Sequence, residues 1–381
     1  MHKIYLSYNS IISSLGFDSK TVVENIKNEK SGISLINDNT LLNKYFYGAL
    51  INKLILKEKF QAIQTIEDLT PLEQLMVLSL EGVINNSKIN INKEVGLVIS
   101  TTKGNVQILE DRNNFPKSHV YLSRLGSVLK RHFSFITDPI IVSNACVSGI
   151  LAISVAKRLI AENKYKHVFV VSGDLVSKFV LSGFDSFQAL SSSICKPYSI
   201  NRNGINLGEA VASILVTSDT NYLAQESVEL LGDATCNDAS HISGPSRTGE
   251  GLFRSITAAI NEAKIKLEDI DYISAHGTAT IFNDEMEAIA FNRLGMESIP
   301  LNSFKGYFGH TLGASGLVET IVGMHSLYLN TLFLSKGFTS LGVSKPLNII
   351  TQTKKKELHT FLKTASGFGG ANTALLLKSI L

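Results

Sequence analysis

Residues 137–172 read TDPIIVSNACVSGILAISVAKRLIAENKYKHVFVVS, a strand, a helix and a second strand in succession. The apolar run at 137–142 predicts the first strand, and 167–172 predicts a buried second one. Between them, 147–162 carries apolar side chains at a helical spacing on most faces. Strands that alternate with helices in this way are typical of an α/β protein with largely buried sheets.

The same alternation continues along the chain. Further strands are predicted at 210–217, 270–274 and 299–303, helices at 251–266, 284–294 and 314–329, and two final strands within 361–379, joined by a Gly-rich turn. The polar segment at 217–221, TSDTN, marks the predicted division into domains 1–220 and 221–381.

Composition excludes several classes of protein. Of the 381 residues, 44% are hydrophobic and 18% are charged, so the chain can bury a large core. The net charge of +3 gives no support to nucleic-acid binding. Cys146, Cys195 and Cys236 show no metal-ligand spacing and no disulfide pattern, and we interpret the last two as structural. We expect a cytoplasmic protein with no signal peptide and no membrane span.

Cys146 follows the strand at 137–142 within a turn of small residues and lies where the next helix begins. The N–H groups at a helix N-terminus favour a thiolate, so we expect a lowered pKa and a binding site for a developing oxyanion. Ser148 and Gly149 are expected to leave room above the sulfur for an acyl group. Alone, a cysteine beside Ala and Val is more often an inert core residue.

Two histidines lie in similar turns. His276 follows a predicted strand, and strand ends are where ligands collect in α/β folds; Thr278 and Thr280 could bond a polar ligand there. His310 lies between Gly-rich turns, five residues after Lys305. Neither histidine has a metal ligand three or four residues further on, so no metal site is predicted. Each histidine alone is also compatible with a plain loop residue.

Two further features surround these turns. Glu287 lies near a helix start, where carboxylates usually complement the helix dipole, although it could instead pair with Lys305. Gly367, Phe368, Gly369 and Gly370 form a turn between strands that allows a ligand to approach the backbone closely. Phe368 could move as a lid, or the segment could be an ordinary hairpin.

Taken together, these motifs resemble the elongating β-ketoacyl-acyl carrier protein synthases of the thiolase superfamily. The resemblance covers nearly the whole chain and rests on the order and spacing of several weak motifs. They are Ser13-Ser14-Leu15-Gly16, Lys30-Ser31-Gly32-Ile33, Cys146, Gly183-Phe184, Ala189-Leu190-Ser191, Lys196-Pro197, Arg202-Asn203-Gly204, His276-Gly277-Thr278-Ala279-Thr280, Lys305, Gly309-His310, Gly313-Ala314-Ser315-Gly316 and Gly367-Phe368-Gly369-Gly370.

The resemblance implies a thiolase-like fold, with two similar βα halves packed in five αβαβα layers, and a dimer. It implies a decarboxylative Claisen condensation, in which Cys146 holds the acyl chain as a thioester. His276 and His310 would then assist loss of carbon dioxide from malonyl-acyl carrier protein and stabilise the enolate. The substrates would be carried on the phosphopantetheine of acyl carrier protein, and no further cofactor is expected.

The remaining roles also follow from the resemblance. The N–H groups of Cys146 and Phe368 would form the oxyanion hole, in a turn in which Phe368 and Gly369 gate entry. Lys305 would organise the site electrostatically, with Glu287 in support. The pantetheine arm would contact two threonines, Thr278 and Thr280.

The chain departs from the family pattern at several positions. Val147 stands where a small or hydroxyl residue is commoner, and the region between 33 and 137 is short and matches poorly. These departures fit a specialised pathway, such as an aryl-polyene or pigment polyketide type, in which a ketosynthase pairs with an inactive partner. The homodimer and the heterodimer both stay open.

Two alternatives to an active condensing enzyme remain: a non-catalytic chain-length partner, and another thiolase-fold acyltransferase. Chain-length partners typically lack the nucleophile, whereas this chain has it. Because acyl carrier protein is acidic, we expect a basic docking patch near the pocket mouth. The candidates are Arg124, Lys130, Arg131, Lys196 and Arg202.

Overall fold

The structure is a computed structural model that describes residues 3–65, 67–110, 114–238 and 240–380. The strands in these ranges are β1 (Tyr5–Ser13), β2 (Ser34–Ile36), β3 (Phe46–Ala49), β4 (Val95–Ser100), β5 (Ile140–Val142), β6 (His167–Asp174), β7 (Leu207–Gly208), β8 (Ala210–Thr217), β9 (Val228–Asn237), β10 (Tyr272–Ser274), β11 (Pro300–Asn302), β12 (Thr331–Leu332), β13 (Asn348–Ile349), β14 (Lys354–Lys355), β15 (Thr360–Gly367) and β16 (Ala371–Ser379).

Helices connect most of the long strands. In the described part of the chain they are α1 (Ser19–Lys27), α2 (Lys53–Phe60), α3 (Pro71–Ser87), α4 (Leu122–Phe133), α5 (Ser148–Ala161), α6 (Lys178–Ser186), α7 (Glu250–Ala263), α8 (Ile281–Arg293), α9 (Lys305–Phe308) and α10 (Ser315–Tyr328). The predicted strands and helices are all present, with ends shifted by up to three residues. The helix predicted at 251–266 ends at Ala263, because Lys264 adopts a left-handed conformation with φ 54°.

The main sheet is built from two halves with the same topology. In the first half the spatial order is β1-β8-β6-β4-β5, and in the second it is β9-β16-β15-β10-β11, with β13 added at the edge. If the five strands named for each half are numbered in chain order, leaving out β13, both halves have the spatial order 1-5-4-2-3. The halves join edge to edge, where Tyr5 and Leu6 pair with Glu229 and Val228. The predicted pair of similar βα halves is confirmed, and the domain boundary at residue 220 stays a prediction.

Helices cover both faces of the two half-sheets. α5 and α10 pack against each other between the halves, α3 covers the outer face of the first half, and α7 covers that of the second. In α10 every side chain except those of His325 and Tyr328 is described as buried, which a surface helix would not show. The resulting order of layers is the αβαβα arrangement that the family resemblance implies.

The crossing of α5 and α10 is close at Gly149. A Cβ added there would lie 2.7 Å from the backbone nitrogen of Leu317 and 2.9 Å from the carbonyl oxygen of Gly313. The expectation that Gly149 makes room for an acyl group is therefore wrong. Its missing side chain is instead required for the two central helices to approach each other.

Candidate active site

Cys146 lies in a tight turn between β5 and α5. Ala145, directly before it, adopts a left-handed backbone with φ 43°, which is uncommon for a residue with a Cβ. The Oγ of Ser148 accepts a hydrogen bond from the backbone N–H of Asn144 at 2.8 Å and donates one to the carbonyl oxygen of Ala145 at 2.7 Å. These bonds hold the strained turn, and α5 begins two residues after Cys146.

Burial raises the pKa of the Cys146 thiol from 9.0 to about 11. The Lys305 ammonium and the backbone N–H groups of Phe368 and Cys146 counteract part of this rise. The expectation of a lowered pKa is therefore wrong, and the thiol is protonated at neutral pH. Both N–H groups expected to form the oxyanion hole nevertheless lie beside the sulfur.

The two predicted histidines meet at this thiol. His276 follows β10 and His310 follows α9, and their rings lie 5.2 Å apart, nearly perpendicular to each other. One ring nitrogen of each and the Sγ of Cys146 all lie within 4.8 Å of one another. The Nδ1 of His276 and both ring nitrogens of His310 are buried with no hydrogen-bond partner among the described residues. Buried polar atoms normally have a partner, and the described residues supply none to these three nitrogens.

Both imidazoles are neutral. Burial lowers the pKa of His276 and of His310 well below the ordinary value of 6.5, and the ammonium groups of Lys305 and Lys363 lower both further. Cys146, His276 and His310 are the described set with the geometry to hold a metal ion. The two ammonium groups nearby oppose the binding of a cation there.

Lys305 is fully buried, but its carboxylate partner is not Glu287, the one considered from the sequence. Its Nζ donates to the His276 carbonyl oxygen at 3.0 Å and to the carboxylate of Glu319 in α10. Glu287 instead accepts hydrogen bonds from the backbone N–H groups of His276 and Gly277. The pairing of Lys305 with Glu287 is therefore wrong, and Glu287 acts on the backbone of the His276 turn.

Sequence reasoning missed Glu319 and its second lysine, Lys363. Glu319 lies in an apolar helix, and Lys363 lies in the apolar strand β15, so neither pattern indicates a site. The Nζ of Lys363 donates to the second carboxylate oxygen of Glu319 at 2.6 Å. One glutamate is thus held between two buried lysines.

A cavity of about 370 Å³ leads from the surface to the thiol. Cys146, both histidines and the two predicted threonines line it. The hydroxyl groups of Thr278 and Thr280 are 2.8 Å apart. Other lining residues used below are Phe184, Phe187 and Phe368. The structure therefore brings the predicted substrate-binding residues to the same cavity as Cys146.

Phe368 lies in a hairpin turn at the cavity, with 38% of its surface exposed. Its ring stacks on Phe184 at 5.6 Å and meets Phe187 edge-on at 5.7 Å. Gly369 has φ 82°, and its N–H donates to the carbonyl oxygen of Ile242 at 2.8 Å. The turn is both a hairpin and a wall of the cavity, and its contact with Ile242 was missed in the sequence.

Most of the basic residues suggested for docking have partners on this protein. Arg124 and Arg131 both pair with Glu67, and Lys130 pairs with Asp138. Arg202 is largely buried and donates to the carbonyl oxygens of Ser199 and Gly342. The structure therefore does not bring these residues together as an unpaired basic patch.

Comparison with known proteins points to one family. A model described as the C-terminal domain of β-ketoacyl synthase matches residues 228–335, and one described as 3-oxoacyl-[acyl-carrier-protein] synthase III matches 142–183. The 3-oxoacyl-[acyl-carrier-protein] synthase 1 of Buchnera aphidicola (subsp. Baizongia pistaciae) is 26% identical over the full length of both chains. The chain is therefore similar to β-ketoacyl synthases, with family models matched over residues 142–183 and 228–335.

Other relatives match over part of their length. A 3-oxoacyl-[acyl-carrier-protein] synthase 2 from Rhizobium meliloti is 33% identical over 62% of this chain and 60% of that protein. A polyketide β-ketoacyl synthase 1 from Streptomyces halstedii, itself named as putative, is 31% identical over 62% of this chain and 59% of that one. The matched stretch therefore spans about 60% of the length of these two relatives.

Solved structures support the assignment of the fold. A chain from a ketosynthase in complex with its chain length factor, from Xenorhabdus doucetiae, superposes with a TM-score of 0.88. The two chains are 24% identical, and the match covers 99% of this chain and 98% of that one. The predicted thiolase-like fold class is thereby confirmed. No helix in the described part of the chain is both long and apolar enough to cross a membrane.

Proposed function

We propose that the protein is a β-ketoacyl-acyl carrier protein synthase that catalyses a decarboxylative Claisen condensation. The observation that carries this proposal is the cluster of one thiol and two neutral imidazoles, all within 4.8 Å, at the cavity. Nucleophilic catalysis needs a base beside the thiol, and condensation needs donors for an enolate oxygen. The same cluster supplies both requirements.

In the first half-reaction the acyl chain moves from the carrier to Cys146. Because the thiol is protonated, a neutral imidazole takes its proton as the sulfur attacks the thioester carbonyl. The oxyanion accepts hydrogen bonds from the N–H groups of Cys146 and Phe368. The intermediate then collapses, the carbon–sulfur bond to the carrier breaks, and the pantetheine thiol leaves with the proton.

In the second half-reaction a malonyl-carrier binds at the acylated enzyme. Its carboxylate leaves as carbon dioxide, and the electron pair moves to the enolate oxygen, which accepts hydrogen bonds from His276 and His310. The enolate carbon attacks the acyl-Cys146 carbonyl. The bond between the acyl carbonyl carbon and the sulfur of Cys146 then breaks, and the Cys146 thiolate takes up a proton from solvent.

The family relationship supports further proposals about substrates and partners. Acyl carrier protein delivers both substrates, and the reaction needs no other cofactor. Thr278 and Thr280 contact the pantetheine arm. Phe368 and Gly369 gate the cavity. The protein acts in the cytoplasm as a homodimer, or as a heterodimer with a ketosynthase-like subunit in a specialised polyene or polyketide pathway.

A non-catalytic chain-length partner and a different acyltransferase are the alternatives. A non-catalytic subunit would have no use for a thiol beside two imidazoles with unpartnered nitrogens. An acyltransferase without decarboxylation would acylate Cys146 but release no carbon dioxide from malonyl-carrier. Measuring the two half-reactions separately therefore distinguishes all three functions.

The first test is intact-protein mass after incubation with acyl-carriers of different chain length and unsaturation. We expect the wild type to gain one acyl mass, Cys146→Ala to gain none, and Cys236→Ala to match the wild type, because Cys236 on β9 does not line the cavity. An adduct that persists in Cys146→Ala would disprove the assignment of the nucleophile. A wild type that forms no adduct would favour the non-catalytic subunit.

The second test follows carbon dioxide release from malonyl-carrier. We expect His310→Ala to be acylated but to release carbon dioxide on the order of a hundredfold more slowly, the usual effect of removing one such donor. Release at the wild-type rate would contradict the enolate role of His310.

A further inference from the structure

Lys363 makes polar contacts that no surface lysine would make. It lies on β15 with no exposed surface. Its Nζ donates to Glu319 at 2.6 Å, to the carbonyl oxygens of Ser274 and Ala275 at 3.1 and 3.3 Å, and to that of Thr364 at 2.8 Å. All four partners are acceptors, and one is a carboxylate, which favours an ammonium over a neutral amine. Burial lowers the pKa of Lys363, and the carboxylate of Glu319 counteracts part of that effect.

Two of these carbonyl groups belong to the chain that leads into His276. Lys363 binds the carbonyls of Ser274 and Ala275, while Lys305 binds that of His276 itself. Three consecutive carbonyl groups are therefore fixed by two ammonium groups. The backbone N–H of His276 is fixed by the carboxylate of Glu287.

Two buried ammonium groups and one carboxylate bond each other directly behind the imidazoles. Glu319 carries one negative charge, and Lys305 and Lys363 each carry a positive one, so this directly bonded triad has a net positive charge, and the buried carboxylate of Glu287 is a further negative charge that acts on Lys363. A buried ion pair is costly, and an additional unbalanced charge more so. Glu319 alone is sufficient as the partner of Lys305, so Lys363 is not needed to neutralise that pair.

We propose that Lys363 is a positioning residue for the condensation, which holds the strand end before His276 and adds a second positive charge behind both imidazoles. This inference rests on the proposed function. Lys363 acts through the histidines and not through contact with substrate. The positive potential disfavours an imidazolium and favours the negative charge that develops on the enolate.

Other charged and titratable groups also face the imidazoles. Each imidazole has its pKa lowered first by burial, then by Lys305, and also by Lys363. The remaining groups that face His276 or His310 or hold their segments are Cys146, the other histidine, Glu287, Glu319, Lys103 and Asp174. Since the two lysines share one carboxylate, removing Lys363 leaves a neutral Lys305–Glu319 pair.

The test compares wild type, Lys363→Met, Lys363→Arg and Lys378→Met by NMR titration of ¹³C-labelled histidines. Signals are assigned by their loss in His276→Ala and His310→Ala. Both imidazoles are expected to titrate below an ordinary histidine in the wild type and to shift upward in Lys363→Met. Lys363→Arg keeps the charge, so its imidazoles should titrate at the same low pH as in the wild type. Lys378→Met removes an exposed lysine of the adjacent strand and should leave the imidazole titrations unchanged.

Activity gives a second readout. Carbon dioxide release by Lys363→Met is expected to fall on the order of tenfold, less than the loss of a donor in direct contact with the reacting oxygen, and the acid limb of Cys146 acylation moves to higher pH. Superimposable histidine titrations and pH profiles in wild type and Lys363→Met would reduce Lys363 to a structural role.

The titration does not depend on turnover. Wild-type imidazoles that titrate like ordinary histidines would overturn the inference, even if Lys363→Met does not fold. A wild type that never acylates Cys146 would overturn the proposed function instead, while the titration still decides the placement of the charge.

Discussion

Glu287 accepts the backbone N–H of His276 at 2.9 Å and that of Gly277 at 2.7 Å, so one carboxylate fixes the turn that carries an imidazole. It also accepts from the hydroxyl of Tyr198 and the amide of Asn283, each at 2.9 Å. All four groups donate hydrogen bonds. Only a group without donors of its own can satisfy them at once.

Glu287→Gln is therefore expected to destabilise the protein although it conserves shape. The new amide places an N–H group against donors, and a buried unsatisfied group costs about 1–3 kcal/mol. The free energy of unfolding, measured by urea denaturation, should fall by that amount. Glu268→Gln replaces an exposed carboxylate and should leave it unchanged. Equal stability of the two variants would show that the carboxylate is dispensable.

The Cys146 thiol should react with iodoacetamide more slowly than an ordinary thiol at neutral pH. Its pKa is about 11, above the ordinary 9.0, so the thiolate fraction and the alkylation rate should still be increasing steeply at pH 9. The rate, followed by mass at Cys146 with Cys236 as an internal comparison, checks this. A plateau below pH 8 would indicate a thiolate–imidazolium pair instead.

Phe368→Ala should expose the acyl-enzyme to water. The ring packs against Phe184 and Phe187 at the cavity, and its removal opens that wall. We expect the acyl adduct on Cys146 to hydrolyse several-fold faster, as measured by the decay of adduct mass, in line with the role of lids in excluding water. Phe179→Ala, at an exposed position of α6, is the control. Equal decay in both variants would contradict the gate.

The sequence predicts those site residues whose position follows from the ends of strands. Cys146 and His276 each follow the carboxyl end of a strand that has a parallel neighbour, β5 beside β4 and β10 beside β11, and such strand ends are where ligands collect in α/β folds. It does not predict Glu319 and Lys363, because a buried charge in an apolar segment has no local pattern and acquires its partner only through tertiary packing. For the same reason, burial of Cys146, which reverses the expected shift of its pKa, was missed.

Surface charge shows the same limitation. Arg202 looks like a docking residue in the sequence, but in the structure it is largely buried and donates to the carbonyl oxygens of Ser199 and Gly342. Nothing in its neighbours along the chain indicates this, since Gly342 is 140 residues away. The order of elements can therefore be read from periodicity, whereas the partners of each charge cannot.

Gly149→Ala tests the crossing of the two central helices. The added methyl group would lie 2.7 Å from the backbone nitrogen of Leu317, and backbone cannot move aside as a flexible side chain does. Overpacking of this kind costs about 1–3 kcal/mol. The free energy of unfolding should fall accordingly. Because α5 begins just after Cys146, acylation should slow as well.

Gly82→Ala is the matched control, since Gly82 lies inside α3 and an added Cβ meets nothing within 4 Å. Alanine is favoured over glycine in a helix interior by roughly 0.5–1 kcal/mol, so this variant should be more stable than wild type. The same substitution thus has opposite signs at the two positions, because packing decides one and backbone entropy decides the other. If Gly149→Ala were also stabilising, α5 and α10 could not be as close as the structure describes.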